Sequence, residues 1–238
     1  MTKKYFLYDD NIGKIELVQY MGEDITVVNS ARVSFGVHKE EMNNKDEKLI
    51  NYLIKHRHTS TLEHNIATFR IKVPLFVRSQ HHRHRTWSYN EISRRYTDSD
   101  ISFYEPVNFR TQHKSNRQAS NIEETINPLM EFKTDFCSQP IVKTASEAII
   151  EHHKKSLRLF DDLISSGVCR EQARGVLPQN LYTEYYATAN LNNILKFISL
   201  RTHDGAQWEI RKLAESMLNI VENLWPVTIK SFIESNSV

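Results

Sequence analysis

The sequence predicts an α+β fold: a single domain in which a small antiparallel or mixed sheet packs with several helices. Residues 67–73 alternate apolar and polar side chains, and residues 180–190 are rich in Tyr and Thr with the same period, which is typical of half-buried strands. Other segments carry apolar residues at helical spacing. A chain of 238 residues is long enough for one sizeable core, so we expect one domain over residues 1–238.

The first part of the chain contains two predicted strands and two predicted helices. The strands cover residues 14–20 and 67–73, where apolar side chains recur at every second position. The helices cover residues 21–34, with a cap near Asp24, and residues 46–56, where apolar side chains lie on one face. These elements predict a sheet with helices packed on it.

The middle of the chain is predicted to be mostly irregular. Residues 75–85 follow Pro74 and form a short helix, which delivers the arginine-rich stretch 83–96 into a loop. Residues 105–140 are rich in Asn, Gln, Ser and Thr, and we expect a long polar connection there.

The last part of the chain is predicted to be mainly helical around the strand at 180–190. Glycine and proline residues punctuate the apolar patterns and set their ends. The predicted helices cover residues 143–164 before Gly167, 168–176 before Pro178, 191–201 after Asn190, and 207–224 before Pro226.

Composition excludes several classes of protein. The formal net charge is +2, with 31 basic and 29 acidic residues, whereas a nucleic-acid-coating protein needs a strongly positive surface. Cys137 and Cys169 form no C-x-x-C motif, which is typical of a reducing compartment, so we expect a cytoplasmic protein. Because no segment reaches the roughly 20 apolar residues of a membrane helix and no signal peptide is recognisable, we expect no membrane partner.

The stretch 83–96 reads RHRTWSYNEISRRY and holds four arginines among serines, an asparagine and a glutamate. A guanidinium fork holds phosphate bidentately, and mixed donors and acceptors recognise a base or a ring. The stretch therefore predicts a site for a nucleotide or a polyphosphate. The alternative is a solvated charged turn with internal salt bridges.

Other common chemistries lack the residues that they need. The eleven histidines form close groups, but none has the spacing of a zinc site, so we expect no metal and interpret His152 as a core histidine. Ser88 and Ser93 have no G-x-S-x-G context, and neither cysteine lies in an electropositive motif that would activate a thiolate. No G-x-G-x-x-G follows a strand, so a dinucleotide would be held by other groups.

The same stretch resembles a known family. It matches the RHR-x-x-S-x-N-E-x-S-x-R-Y pattern of the flavin-dependent thymidylate synthases, and HTSTLEH (58–64), ARGVLPQNLYT (173–183) and SLRTHDGAQWEI (199–210) extend the likeness along most of the chain. The resemblance implies a methyltransferase that converts dUMP to dTMP without a cysteine nucleophile. Methylenetetrahydrofolate is the implied one-carbon donor, NADPH the reductant and FAD the cofactor. A homotetramer with shared active sites is also implied.

The resemblance assigns FAD ligands in three segments. They are His58, Ser60, Arg83, His84, Arg85, Glu91 and Asn190, together with Asn192 and Lys196. The last two depart from the family pattern, since many relatives have Arg in place of Asn192 and Asn in place of Lys196. Lys196 can still meet a phosphate.

The resemblance also assigns the substrate ligands and one catalytic residue. The implied dUMP ligands are Gln80, Arg83, Glu91, Ser93, Arg94, Arg95, Arg174 and Arg201. Arg201 matches the arginine placed against the uracil ring, where a guanidinium stabilises developing negative charge and so raises electron density at the carbon to be methylated. The alternative for Arg174 and Arg201 is an interhelical salt bridge.

A function from another class is also consistent with the stretch 83–96. A module that binds single-stranded RNA would use arginines for backbone contacts and aromatic rings for base stacking. The residues for this role are Arg83, Arg85, Trp87, Tyr89 and Tyr96.

Overall fold

A computed structural model describes residues 4–117, 119–134 and 137–236 of the chain. These residues form two compact units. The first comprises Met1–Lys72, Ser79–Glu91 and Glu184–Val238, and the second comprises Val73–Arg78 and Ile92–Thr183. Because each unit is assembled from separate stretches, the division does not fall at a linker, and the one-domain prediction stays a prediction.

The described residues contain nine strands and eight α-helices. The strands are β1 (Lys4–Phe6), β2 (Lys14–Met21), β3 (Ile66–Pro74), β4 (Ser88–Glu91), β5 (Phe109–Gln112), β6 (Ser120–Ile126), β7 (Leu129–Thr134), β8 (Cys137–Thr144) and β9 (Tyr182–Asn190). The helices are α1 (Asp24–Arg32), α2 (Asn44–Lys55), α3 (Leu75–His81), α4 (Ala145–Ser165), α5 (Arg170–Ala173), α6 (Leu191–Arg201), α7 (Trp208–Leu224) and α8 (Pro226–Asn236). Among these described helices, none combines the length and the apolar character that crossing a bilayer requires. The predicted combination of small sheets with several helices is confirmed.

The largest sheet has the strand order β1-β2-β3-β9-β4. β2 pairs antiparallel with both β1 and β3, and β4 pairs antiparallel with β9. In β3 the side chains of Ala67, Phe69, Ile71 and Val73 are fully buried, as the period of two predicts. This strand therefore contributes the central apolar row of the sheet.

The turn from β9 into α6 is set by an asparagine. Asn190 caps α6, because its Oδ1 accepts a hydrogen bond of 3.0 Å from the backbone N–H of Asn193. The helix then buries Ile194, Phe197 and Ile198, and α7 packs against α6 in the first unit. A short amphipathic helix thus carries Arg201 at its last position.

The connection from β2 to α1 requires a glycine. Gly22 has φ +86°, and a Cβ there would lie 3.0 Å from Cγ of Asn65. Its carbonyl accepts a hydrogen bond of 2.9 Å from Nε1 of the fully buried Trp225. The tight turn therefore also anchors the end of α7.

The C-terminal part differs from the sequence prediction. Pro226 follows the end of α7 as predicted, but it also begins the additional helix α8, because proline is well tolerated at a first helical position. The cap of α1 lies near Asp24 as predicted, and the Asp24 carboxylate itself caps α8: its Oδ2 accepts from the backbone N–H of Val227 (3.0 Å) and its Oδ1 from that of Thr228 (2.9 Å). The residue that caps α1 is Glu23.

The arginine-rich stretch is more regular than predicted. α3 ends at His81, earlier than the predicted end at residue 85, and β4 lies inside the stretch. Ser88 pairs with Thr188 of β9, and Glu91 pairs with Tyr185. A sheet edge, not a free loop, therefore holds these residues.

The predicted polar connection at 105–140 is wrong. In the second unit β5 pairs antiparallel with β6, and β7 pairs antiparallel with β8. These two ladders hold few buried side chains; Ile122 and Leu129, for example, are exposed. Strands without a buried face lack the alternation by which a half-buried strand is recognised.

The second unit corrects a histidine prediction. His152 is exposed and His153 is buried, because the buried face of α4 contains His153, Ser156 and Phe160. Nδ1 of His153 lies 2.8 Å from Oε1 of Glu105, and its ring stacks on Phe103. A one-residue error in the helical phase is enough to exchange the two histidines.

Replacement of Asp24 by alanine tests the cap of α8. Asp24→Ala removes a buried carboxylate that accepts three hydrogen bonds, the third from Oγ1 of Thr228 (2.6 Å). We expect a loss of about 2–4 kcal/mol in the free energy of unfolding, because buried donors are left unpaired. Urea denaturation measures the loss, with Asp161→Ala on the exposed face of α4 as the matched control. Equal stability of the two variants would contradict the assigned cap.

Candidate active site

The first unit places the start of the arginine-rich stretch at the end of α3. The chain turns there with two backbone hydrogen bonds, from Arg83 to the Gln80 carbonyl (3.3 Å) and from His84 to the His81 carbonyl (3.0 Å). Thr86 adopts φ +67° before β4 begins. The turn exposes Arg83 and Arg85, and His84 between them is half-buried.

An aromatic cluster surrounds the fully buried His81. Nδ1 of His81 lies 2.9 Å from the Tyr185 hydroxyl, and the rings of Trp87 and Phe197 lie 4.8 and 4.6 Å from its ring. Burial, with smaller contributions from His84, His82 and Arg201, holds the pKa of His81 well below its usual range. His81 is therefore a neutral core residue that joins α3, β4, β9 and α6.

Trp87 and Tyr89 belong to the same aromatic cluster. Their rings stack at 6.2 Å with an angle of 8° between the planes, and the Tyr89 hydroxyl donates to the carbonyls of His81 (3.2 Å) and His84 (3.4 Å). Burial raises the pKa of Tyr89 above its usual value. Of the three aromatic rings that the RNA-binding hypothesis uses, only Tyr96 is exposed, and Trp87 and Tyr89 are half-buried.

Arg201 is brought against the end of α3 by the last turn of α6. Its Nε donates to Nε2 of His84 at 3.0 Å, and its Nη2 donates to the Gln80 carbonyl at 3.4 Å. Burial and the charge of Arg83 lower the pKa of Arg201. Both acceptors of Arg201 are neutral, so its described contacts do not include the interhelical salt bridge that was the alternative interpretation of this residue.

His84 serves as the acceptor for Arg201. Burial and, second, the Arg201 charge lower the pKa of His84 to about 4. A neutral imidazole that accepts at Nε2 carries its proton at Nδ1. The pair therefore joins a fixed cation to a neutral base.

A chain of side-chain hydrogen bonds supports Gln80 from α7. Nε2 of Gln80 donates to Oε1 of Gln207 at 2.5 Å, and Nε2 of Gln207 donates to Oε2 of the buried Glu209 at 2.9 Å. The chain fixes both amides, since each donor is committed to a particular oxygen. Gln80 consequently offers its backbone carbonyl to Arg201 from a rigid position.

Two exposed arginines fit the phosphates of a cofactor. The Arg83 and Arg85 side chains donate no hydrogen bond within the described part of the chain, so their guanidinium forks are available for an anion. Glu91 is exposed at the end of β4. Two guanidinium donors and a carboxylate acceptor match the chemistry of a dinucleotide that is not held by a glycine-rich loop.

Two further predicted cofactor ligands line a cavity of about 910 Å³ in the first unit. Asn192 and Lys196 of α6 line the cavity, together with Lys55 and Arg57 near the end of α2. The Asn192 side chain is buried and donates from Nδ2 to Oε1 of Glu63 at 3.1 Å. Lys196 is exposed. The basic side chains of the cavity wall therefore include those of Lys55, Arg57 and Lys196.

The remaining predicted flavin contacts have local structural roles. His58 is exposed and its ring stacks on Tyr52 at 5.9 Å, and Ser60 lies in the 3₁₀ turn Thr59–Leu62. Asn190 uses its Oδ1 to cap α6, which leaves its Nδ2 for another acceptor. Each of these side chains retains at least one polar group that can bind a ligand.

The second unit holds four of the predicted substrate ligands. Arg94 is buried, and its guanidinium donates from Nη1 to the Ser99 carbonyl at 2.5 Å and from Nη2 to the Asp100 carbonyl at 3.4 Å. Burial lowers the pKa of Arg94, against the opposing charges of Asp100 and Asp98. Arg94 therefore braces its own loop. Ser93, Arg95 and Arg174 lie in the same unit, and both of these arginines are exposed.

Sequence reasoning missed three residues of the first unit that support the candidate site. Gln207 lies in SLRTHDGAQWEI and Glu63 lies in HTSTLEH, two segments that carry the family resemblance, but only Arg201, His58 and Ser60 were selected from them. His81 lies between the predicted site residues Gln80 and Arg83. The available signal was the match around these residues, whereas their contacts depend on partners far away in the sequence.

Comparisons with known proteins identify the family. A sequence-family model described as thymidylate synthase complementing protein matches residues 16–227. The flavin-dependent thymidylate synthase of Thermus thermophilus is 39% identical over 222 residues, which are 93% of this chain and 76% of the relative. The enzyme of the same name from Thermotoga neapolitana is 36% identical over 223 residues, 93% of this chain and 91% of the relative.

Solved structures agree with the sequence comparisons. A UMP/dUMP methylase from Streptomyces cacaoi bound with 5-Br dUMP has a TM-score of 0.77 and 32% sequence identity, and the match covers 92% of this chain and 94% of that one. The same methylase bound with 5-Br UMP has a TM-score of 0.74 and 30% identity, with 94% and 95% covered. The resemblance inferred from the motifs is confirmed, and this chain belongs to the flavin-dependent thymidylate synthase family.

Proposed function

We propose that this protein methylates dUMP to dTMP, using FAD, with methylenetetrahydrofolate as the one-carbon donor and NADPH as the reductant. The observation that carries the proposal is Arg201, a half-buried guanidinium oriented by two neutral acceptors, His84 and the Gln80 carbonyl. A cation without a carboxylate partner is suited to an anionic or electron-rich ligand. Family membership directs this chemistry to the pyrimidine nucleotide.

The proposed dUMP ligands offer donors for phosphate and both donors and acceptors for the base. They are Gln80, Arg83, Glu91, Ser93, Arg94, Arg95, Arg174 and Arg201. Support comes from the structural neighbours from Streptomyces cacaoi, which are described as bound with brominated dUMP and UMP. UMP is therefore the natural comparison substrate, because it differs from dUMP only in the 2′-hydroxyl.

The proposed FAD ligands combine free guanidinium groups with amides and hydroxyls. They are His58, Ser60, Arg83, His84, Arg85, Glu91, Asn190, Asn192 and Lys196. When bound, the flavin supplies hydride transfer, which a protein side chain does not provide. The uncommitted forks of Arg83 and Arg85 suit its phosphates, and Lys196 adds a further cation at the cavity.

Arg201 is the proposed catalytic residue. Its guanidinium stabilises the negative charge that develops on the uracil ring, so the ring carbon gains nucleophilicity without a covalent bond to the enzyme. Cys169 is exposed, and the side chain of Cys137 lies outside the described residues. As the family resemblance implies, the proposed reaction relies on fixed electrostatics and not on a thiolate.

Two further proposals rest on the family and on composition. We propose a homotetramer in which neighbouring chains complete each active site, and a cytoplasmic location in agreement with the low cysteine content. Sedimentation in the presence and absence of FAD measures the first directly.

Release of tritium from dUMP labelled at C5 tests the proposed reaction. Methylation replaces the C5 hydrogen, so tritium should enter water only when the protein, FAD, NADPH and methylenetetrahydrofolate are all present. Omission of each component in turn is the control, and labelled UMP measures the preference for the 2′-deoxy sugar. A colourless protein that cannot be reconstituted with FAD and releases no tritium would reject the proposal.

Replacement of Arg201 tests its catalytic role. Arg201→Ala should lower kcat by about 100- to 1,000-fold, the usual effect of removing one preorganised charge donor. Flavin content should stay at the wild-type value. Arg158→Ala, which removes an exposed arginine of α4, is the matched control in steady-state assays at saturating substrate. Near-normal turnover of Arg201→Ala would exclude Arg201 from catalysis.

Replacement of Arg83 tests the cofactor assignment. Arg83→Ala should weaken FAD binding by about 10- to 100-fold, because it removes charge-assisted hydrogen bonds to phosphate. Titration by flavin fluorescence measures the dissociation constant, again with Arg158→Ala as control. Unchanged flavin content after gel filtration would contradict the assignment.

A further inference from the structure

The orientation of Arg201 is determined by two contacts near the end of α3. Nε is bound to Nε2 of His84 (3.0 Å) and Nη2 to the Gln80 carbonyl (3.4 Å). The guanidinium is planar, so two anchored nitrogens fix the plane and the direction of the remaining amino group. Within the described residues Nη1 donates no hydrogen bond, which leaves it available to a ligand.

The contact with His84 requires one particular form of the imidazole. Arginine only donates, so Nε2 must carry a lone pair and the proton must lie on Nδ1. A protonated His84 would lose the hydrogen bond and repel Arg201. The contact therefore depends on a neutral histidine, which a low pKa of about 4 secures near neutral pH.

The groups described around the His84 side chain are cationic, aromatic or neutral. Arg201 faces it from α6, and His81 faces it from α3 with a ring distance of 6.3 Å. The Phe197 ring meets it edge-on at 4.9 Å, and the Tyr89 hydroxyl of β4 donates to its carbonyl at 3.4 Å. None of these described contacts is a carboxylate, so nothing among them stabilises an imidazolium.

We propose that His84 is a positioning residue for Arg201. The Nε2 lone pair of His84 holds the guanidinium plane, so that Nη1 of Arg201 is directed at the substrate ring. This role differs from the flavin contact that the family resemblance assigns to His84. The inference rests on the proposed function for the identity of the ring. The hydrogen bond and the tautomer do not depend on it.

Two substitutions separate the acceptor from the ring. His84→Phe keeps a planar ring and removes the acceptor, whereas His84→Gln keeps an oxygen that can accept from Arg201. At saturating FAD and dUMP, His84→Phe should lose kcat by about 100-fold, the effect of a misplaced reacting group. His84→Gln should retain most of the wild-type kcat, and the Kd of dUMP should change little in both variants.

The kinetic outcomes are decisive in both directions. Recovery of kcat in His84→Gln but not in His84→Phe supports the positioning role. Equal losses in the two variants, or a loss that excess FAD restores fully, would overturn it, because His84 would then act through packing or through the cofactor alone.

Nuclear magnetic resonance of ¹⁵N-labelled histidine tests the same inference without turnover, on the whole protein in its resting state. The His84 signal, assigned by its absence from His84→Gln, should show a proton on Nδ1 and none on Nε2. Its pKa should rise in Arg201→Ala, since one of the two causes of the low value is removed. A proton on Nε2, or a His84 pKa that is the same in the wild type and in Arg201→Ala, would overturn the inference even if dTMP formation is confirmed. The expected signals in a protein without thymidylate synthase activity would reject the proposed function and leave the contact intact.

Discussion

The candidate site depends on the burial of one neutral imidazole, that of His81. An ionisable ring removed from water must stay uncharged and must find a partner, and the Tyr185 hydroxyl supplies that partner at 2.9 Å. The rings of Trp87, Tyr89 and Phe197 close around it. These rings come from β4, from the residue before it and from α6, so their packing on His81 holds the end of α3 against the end of α6. Without that packing, nothing would hold His84 within hydrogen-bonding distance of Arg201.

The positive charge near this cluster is not neutralised by the contacts described. Arg201 binds two neutral acceptors, and Arg83 is close enough to lower its pKa. Partial burial of a cation beside another cation costs free energy, and that cost is removed when an anion binds. The protein thus holds in its resting state an electrostatic arrangement that a phosphate or an electron-rich ring would stabilise. This unfavourable placement is difficult to explain by stability, and it is readily explained by ligand binding.

The sequence predicted those parts of the fold that have one buried and one exposed face. β3 alternates without interruption, and α2, α4 and α7 carry apolar stripes, so local periodicity was sufficient. It failed where no such face exists. The ladders β5-β6 and β7-β8 hold mostly exposed or half-buried side chains, and β4 is only four residues long. At Pro226 the same residue both stops one helix and starts another, and the local signal does not separate the two outcomes.

For the site as well, the sequence predicted which residues are present but not which contacts they make. The motif indicated which side chains carry the chemistry, but the partners of those side chains lie 117 residues apart for His84 and Arg201 and 127 apart for Gln80 and Gln207. Nothing local in a sequence encodes such pairs. They follow from the sheet order and from the packing of α6 and α7 within the first unit.

Asn192 is one of two positions at which the sequence is expected to depart from the family pattern. The family resemblance implies Arg at this position, whereas here a buried amide donates to Glu63 and is satisfied locally. A short amide does not extend a charge into the cavity, so the cation on this face of α6 moves to Lys196, one turn later and on the same wall. An ammonium is a point charge on a flexible stem and lacks the bidentate fork of a guanidinium. A phosphate held here would therefore be bound by charge more than by geometry, and the orientation of the cofactor would fall to Arg83 and Arg85 in the turn after α3.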